Sequence, residues 1–170
     1  MKKFALLSII IIYLLPGCKD SETGSSSSDS GFALYQLRDS SIRADQTWNI
    51  SIDSLELAST PFLTAADIKS YSWSKHTFVA QQRIDSIFNS MRGLSGKSMG
   101  MPFVVAVGKE RIYLGAFWWG YSSLMPQATY IEMSLPPPYG LKHEELASLP
   151  DRRSDKRIYD ALQLAGVLVQ

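Results

Sequence analysis

The sequence is poor in the residues that most often carry metal or redox chemistry. It contains one cysteine, Cys18, and two histidines, His76 and His143, among 170 residues. A single cysteine excludes an internal disulfide framework, and neither histidine has a second ligand at a spacing typical of zinc sites. The HExxH and CxxC motifs are also lacking. The sequence therefore predicts no metal, no cofactor and no assignable catalytic residue.

Neither sign of charge is in clear excess. The chain has 17 Lys and Arg against 16 Asp and Glu, a formal charge of +1. Without Lys2 and Lys3 the count is 15 against 16, or −1. A near-neutral balance gives no electrostatic basis for binding nucleic acid or for a polybasic membrane patch. We therefore predict no nucleic-acid partner.

Long apolar runs are missing as well, and the longest lies near the start of the chain. Lys2 and Lys3 precede an apolar segment centred on residues 9–15, which is too short for a comfortable membrane span and ends in Leu-Pro-Gly-Cys18. This arrangement resembles a bacterial lipoprotein signal peptide with its lipobox. The resemblance implies cleavage before Cys18, a diacylglycerol thioether on its sulfur and frequent acylation of its new amino group. Residues 1–17 are then the signal peptide.

The same resemblance implies a cellular location for the chain and a membrane as its partner. Two or three acyl chains provide stable anchoring. We therefore expect the chain in the bacterial cell envelope, anchored by lipid on Cys18 to the outer membrane, on either the periplasmic or the surface side. The alternative is an uncleaved N-terminal anchor with an incidental cysteine.

Residues 18–31 are almost entirely Ser, Gly and charged residues after Cys18, a composition typical of a flexible linker.

Residues 32–170 have the length of one domain and enough apolar residues for a core. Alternating or apolar runs predict strands at 32–37, 50–52, 55–57, 76–80 and 128–133. A capping box at Thr64 predicts a short helix, and apolar spacing predicts a helix over Gln81–Met91. A last helix is capped by Ser154 and ended by Gly166. We predict an α+β domain with a mostly antiparallel sheet and two main helices packed on it.

The centre of this domain is the stretch Met101–Ser123. An apolar run at 103–107 and a second run at 111–118 flank a break that begins at Gly108, which is typical of a β-hairpin. The first run is apolar at every position, so we expect a central strand that is covered on both faces. Gly115 within the second run indicates a bulge.

The order of predicted elements between Pro61 and Leu114 resembles that of a known subdomain. The phrase LTAADI, a strand, a helix, a glycine-flanked loop and an apolar hairpin follow one another. This order resembles the head subdomain of the first periplasmic domain of SecD-type translocation proteins, and the whole chain resembles small envelope lipoproteins of bacteria. The first resemblance supports the fold alone, because no membrane helices follow the hairpin.

Two functions of different class remain open. The aromatic residues Trp118, Trp119 and Tyr121 predict a surface that binds a glycan or a protein, although alternate rings of a strand also point into a core. The sequence therefore favours a non-enzymatic binding or interaction module. The alternative is an envelope hydrolase with a site around His76 or His143, assembled from residues distant in sequence.

Overall fold

The computed structural model describes residues 31–92 and 98–169, which form a mixed α+β fold around a curled sheet of nine strands. The strands are β1 Phe32–Gln36, β2 Leu63–Thr64, β3 Ile68–Ser72, β4 Thr77–Ala80, β5 Met101–Val107, β6 Glu110–Trp118, β7 Thr129–Glu132, β8 Tyr139–Lys142 and β9 Leu168–Val169. The helices are α1 Gln82–Arg92 and α2 Lys156–Leu164. Three short 3-10 helices lie at Ala44–Gln46, Ile52–Ser54 and Ala65–Asp67. The predicted signal peptide, Cys18 and most of the predicted linker lie outside the described residues.

The strand order across the sheet is β2-β1-β5-β6-β7-β8-β4-β3-β9. The β6–β7 and β3–β9 pairs are parallel, and the other pairs are antiparallel. The prediction of a mostly antiparallel sheet agrees with this topology. The two edge strands, β2 and β9, have two residues each.

The predicted central hairpin is confirmed. Strands β5 and β6 pair antiparallel, and Gly108 in their turn has a φ of 60°, a conformation that favours glycine. Residues 102–106 are all buried, as expected for a strand covered on both faces. Gly115 does not form a bulge, because it pairs directly with Phe103, and the register shift lies at Val105/Ala106 instead.

One face of the sheet carries the main core and both helices. Ile84, Phe88 and Met91 of α1 are buried in it, as the apolar spacing predicted. Phe88 meets Phe117 edge to face, with ring centroids 5.7 Å apart. Helix α2 adds Ile158, Ala161 and Leu162 to the same cluster.

The opposite face is covered by the irregular segment between β1 and β2. Leu37 and Leu55 from this segment pack with Val104 and Leu114 of the hairpin. The guanidinium of Arg111 fixes the segment by donating hydrogen bonds to the carbonyls of residues 52 and 55, at 2.5 and 2.8 Å. The strands predicted at 50–52 and 55–57 are wrong, because this stretch forms the 3-10 helix Ile52–Ser54 and contributes one isolated bridge, Leu37 to Leu57.

Two predicted helix starts change in detail. Thr64 does form a capping box with Asp67, but the helix is a single 3-10 turn that leads into β3. Helix α2 is capped by Asp155 and not by Ser154, because the carboxylate of Asp155 accepts a hydrogen bond from the Arg157 amide at 3.0 Å. Gly166 ends α2 as predicted, with a φ of 71°.

Candidate functional site

The aromatic run at the end of β6 lies mainly inside the protein. Trp118 is 3% exposed and Trp119 is 1% exposed. Trp119 belongs to the main core, whereas Trp118 packs on the opposite face against Trp48, with ring centroids 6.2 Å apart. Both faces of the strand are covered here, so adjacent rings can both be buried. Tyr121, at 56% exposed, is the member of the run that presents its side chain to solvent. The ligand that we predicted for this run stays a prediction, and neither tryptophan ring offers it a surface.

The two histidines have different surroundings. His143 is half-buried, and its Nδ1 lies 3.2 Å from the hydroxyl of Thr129. His76 lies at the end of the β3–β4 turn and has a φ of 50°, which is uncommon for a residue other than glycine. Its backbone carbonyl accepts a hydrogen bond from the Leu141 amide at 2.8 Å, which ties the turn to β8.

The imidazole of His76 joins two hydroxyl groups. Its Nδ1 lies 3.4 Å from the Tyr71 hydroxyl, and its Nε2 lies 3.3 Å from the Ser154 hydroxyl. Burial lowers the pKa of His76, and the nearby positive charge of Arg153 lowers it further, while Asp151 acts in the opposite direction. The imidazole is therefore neutral at pH 7, so one of its nitrogens can accept a proton.

Buried phenols and an ion pair lie behind this histidine. Arg153 pairs with Asp151 at 2.7 Å and donates a hydrogen bond to the Leu141 carbonyl at 2.7 Å. Burial raises the pKa of Tyr71 and of Tyr113. The Tyr113 hydroxyl is buried without a hydrogen-bond partner among the described residues. The His76 surroundings thus form a polar cluster beside an otherwise apolar core.

A groove opens next to this cluster, and we call it the Trp73 groove. It has a volume of about 440 Å³ and is lined by Trp73, Ser74, Tyr159, Gln163, Gly166, Leu168 and Val169. Trp73 and Tyr159 meet edge to face, with ring centroids 5.1 Å apart, and Trp73 also meets the His76 ring edge to face, with centroids 5.6 Å apart. None of the lining side chains is charged. Two aromatic rings, an amide and a hydroxyl therefore share one concave, neutral surface.

A smaller depression of about 210 Å³ lies elsewhere. Its lining is largely aliphatic and includes one cation: Ile50, Ile52, Ile112, Tyr113, Leu114, Leu149, Pro150 and Arg152. It offers one charged group and few neutral polar groups that could fix the orientation of a ligand, so the Trp73 groove is the better candidate for binding.

His76 was predicted from the sequence as a candidate site residue, whereas the Trp73 groove was not predicted. Trp73 and Tyr159 are far apart in sequence, and the groove forms only because β9 pairs in parallel with β3 at the end of the sheet. Residues 96–100, Gly-Lys-Ser-Met-Gly, also match the G-x-S-x-G pattern of serine hydrolases. Ser98, however, follows α1 and precedes β5, which is the reverse of the strand-turn-helix order that a nucleophile elbow requires.

Neither a metal cluster nor a membrane-spanning helix occurs in the described part of the chain. Within residues 31–92 and 98–169, no cluster of three or more His, Cys, Asp or Glu side chains is arranged to hold a metal ion. No helix in the same part of the chain is long and apolar enough to cross a membrane. Comparison with protein-family models, with curated proteins and with solved structures finds no match for this chain.

Proposed function

We propose that this chain is a lipid-anchored protein of the bacterial cell envelope that binds a neutral glycan in the Trp73 groove. The observation that carries the binding proposal is the composition of the groove, where two aromatic rings and two neutral polar side chains line one cavity. Sugar rings present apolar C–H faces that stack on aromatic rings and hydroxyls that pair with amides and hydroxyls. The groove offers both kinds of contact.

Charge and size support a glycan over an ionic ligand. A groove without a charged lining residue gives no compensation for the desolvation of a phosphate or a carboxylate. Its volume of about 440 Å³ falls within the range of about 300–1,000 Å³ that is typical of ligand pockets. A short stretch of neutral oligosaccharide satisfies both conditions.

The anchor rests on the first segment of the sequence. The basic start, the short apolar segment and Leu-Pro-Gly-Cys18 support lipidation of Cys18, and the Ser- and Gly-rich residues that follow give the binding domain reach from the membrane. A lipid anchor holds the Trp73 groove close to the glycans of the envelope, which raises their local concentration.

The anchor is tested by metabolic labelling with a palmitate analogue. The wild-type chain should incorporate the label, and Cys18→Ser should lose it completely, because the chain contains no other cysteine. Labelling that persists in Cys18→Ser would contradict lipidation at this residue. A wild-type chain that incorporates no label and still remains in the membrane fraction would favour the uncleaved anchor with an incidental cysteine.

The Trp73 groove is tested by calorimetric titration of the full chain, kept in mild detergent, with the neutral tetrasaccharides chitotetraose, maltotetraose and cellotetraose. We expect at least one to bind, and Trp73→Ala to weaken its binding about fivefold, because a stacked ring contributes roughly 1 kcal/mol. Gln163→Ala removes an exposed amide of the groove and should weaken binding without affecting the core.

The matched controls are Tyr121→Ala, an exposed aromatic outside the groove, and Gln82→Ala, an exposed glutamine on the other helix. Both should bind like the wild type. If Tyr121→Ala abolishes binding while Trp73→Ala leaves it unchanged, the ligand lies at the end of β6 and the groove proposal is wrong. If none of the sugars binds and a protein partner is lost on Trp73→Ala, the groove binds protein instead of glycan.

A further inference from the structure

The side chains of Ser154, His76 and Tyr71 form a continuous series of polar contacts. The Ser154 hydroxyl lies 3.3 Å from Nε2 of His76, and Nδ1 of His76 lies 3.4 Å from the Tyr71 hydroxyl. Ser154 is separated from His76 by 78 positions. In acyl transfer by serine hydrolases, a hydroxyl of this kind faces one imidazole nitrogen, and a further group orients the other nitrogen.

The exposure of the three groups follows the same order. Ser154 is exposed, His76 is half-buried and Tyr71 is buried. Ser154 lines an open depression of about 360 Å³ together with Pro150, Asp151, Arg152 and Asp155. A substrate can therefore reach the serine from solvent, while the imidazole behind it is held by the protein.

The backbone of His76 has a conformation that is uncommon for a residue other than glycine. A φ of 50° at the end of a hairpin turn is the position where glycine or asparagine is favoured. The turn itself is held by backbone groups, since the His76 amide donates to the Trp73 carbonyl and the His76 carbonyl accepts from Leu141. Residues held in such conformations are concentrated at functional sites.

The charges around Ser154 fit an attack on a neutral ester. The carboxylates of Asp151 and Asp155 are each paired with an arginine at 2.7 Å, so they do not repel the negative charge that develops on the carbonyl oxygen. The cationic side chain of Arg152 lines the same depression, where it can stabilise that charge. Among the charged groups near the imidazole, Arg153 lowers the pKa of His76 and Asp151 raises it.

We propose that Ser154 is a nucleophile for small acyl esters, that His76 is its general base and acid, and that Tyr71 is a positioning residue. In the tautomer that the reaction needs, Nδ1–H of His76 donates a hydrogen bond to the Tyr71 hydroxyl oxygen, which leaves Nε2 free to accept the proton of Ser154. The Ser154 oxygen then bonds to the acyl carbon, and the protonated imidazole passes the proton to the departing alcohol as the ester bond breaks. A water molecule, deprotonated by His76, cleaves the acyl-serine to the carboxylic acid and restores the hydroxyl.

The test uses the full chain in mild detergent with two probes, 4-nitrophenyl acetate and a fluorophosphonate. We expect ester hydrolysis above the rate in buffer and one covalent fluorophosphonate adduct, located at Ser154 by peptide mass spectrometry. Ser154→Ala should remove the adduct and lower the enzymatic rate at least 100-fold. His76→Asn should do the same, because general base catalysis contributes about 10²–10⁴-fold.

The variants are chosen so that the fold survives. Asparagine is favoured at positive φ, so His76→Asn should keep the turn, and an unchanged melting temperature verifies this. Ser148→Ala alters an exposed serine of the preceding loop, whose hydroxyl is not part of the cluster, and should react like the wild type.

Tyr71→Phe keeps the buried ring and removes its hydroxyl. We expect kcat to fall about tenfold with little change in KM, because the substrate contacts remain while the imidazole loses its orientation. A tyrosine with a purely structural role would change the melting temperature and leave kcat unaffected.

The test of Ser154 as a nucleophile does not depend on glycan binding in the Trp73 groove. An adduct on another serine, or hydrolysis that is unchanged in folded Ser154→Ala, would overturn the proposal, as would the lack of both hydrolysis and labelling in the wild type. Binding of a tetrasaccharide that is lost in Trp73→Ala and kept in Ser154→Ala would leave the groove proposal standing whichever result is obtained here.

Discussion

Gly115 shows how closely β6 is packed in the centre of the sheet. A Cβ atom at this position would lie 2.3 Å from Cε2 of Phe103 and 2.9 Å from the Thr129 carbonyl oxygen. Those atoms belong to the two neighbouring strands, and neither a core ring nor a backbone carbonyl can move aside easily. The glycine is required by packing between strands β5 and β7.

We therefore predict that Gly115→Ala lowers the free energy of unfolding by about 3 kcal/mol, as overpacking of a core does. The matched control is Gly140→Ala in β8, where the added Cβ would meet its nearest atoms at 3.8 Å. This control should change stability by less than about 0.5 kcal/mol. Urea denaturation measures both, and equal stability of the two variants would contradict the close contact at Gly115.

At the scale of single residues, the sequence revealed only part of the candidate sites. His76 stood out because the chain has only two histidines. It was predicted as the first residue of a strand at 76–80, whereas it ends the turn before β4, which begins at Thr77. Its contact with Ser154 is purely tertiary. Trp118 and Trp119 were ambiguous because the pattern of one strand does not show whether a second layer covers its outer face.

At the scale of elements, helix α2 depends on its N-cap. Asp155 accepts the Arg157 amide at 3.0 Å and pairs with the Arg157 guanidinium at 2.7 Å, whereas the neighbouring Ser154 hydroxyl faces His76. We predict that Asp155→Ala lowers the free energy of unfolding by about 1 kcal/mol. Ser154→Ala should stay within about 0.5 kcal/mol of the wild type. The reverse order in chemical denaturation would make Ser154 the cap.

The loop before α2 also makes the protein sensitive to acid. Hydrogen bonds from Arg153 lower the pKa of Asp151 to about 2, and those from Arg157 lower the pKa of Asp155 to about 2. In the unfolded chain both carboxyls titrate near 3.9, so between these values the unfolded state binds more protons. The stability that these carboxylates provide is complete above about pH 4 and decreases as the pH falls toward 2.

We therefore predict that the free energy of unfolding, measured in urea between pH 6 and pH 2, falls less steeply below pH 4 in the Asp151→Asn/Asp155→Asn variant than in the wild type. The variant is less stable at pH 6, because both ion pairs are lost. Parallel curves for the two proteins would show that other groups govern the acid response.

Among the elements, length decided what could be predicted. Helix α1 was predicted as Gln81–Met91 and runs over Gln82–Arg92, because three turns of apolar spacing leave little ambiguity. Strands β2, β3, β8 and β9 were missed. Three of them, β2, β8 and β9, have only two to four residues, and β3 follows the turn at Thr64 that predicted a helix. The alternation at 50–57 belongs to a segment that covers a sheet face, where apolar side chains face the core although only one isolated bridge, Leu37 to Leu57, is formed.

At the scale of the whole molecule, the buried centre of the sheet is distinct from the peripheral surfaces for which we propose function. The central hairpin is buried on both faces, by the helices on one side and by the segment between β1 and β2 on the other. The Trp73 groove and the Ser154 depression both lie where the last part of the chain, from the loop at 150 to β9, packs against the β3–β4 turn. Binding and chemistry are thus proposed for the periphery of the sheet.

The central claim is that a neutral glycan occupies the Trp73 groove, and the most direct measurement is a chemical-shift titration of the ¹⁵N-labelled chain with the three tetrasaccharides. We predict that the amides of Ser74, Gln163 and Leu168 shift together and saturate, while those of Trp118 to Tyr121 remain in place. Shifts confined to Trp118 to Tyr121, or no saturable shift with any of the three sugars, would contradict the claim.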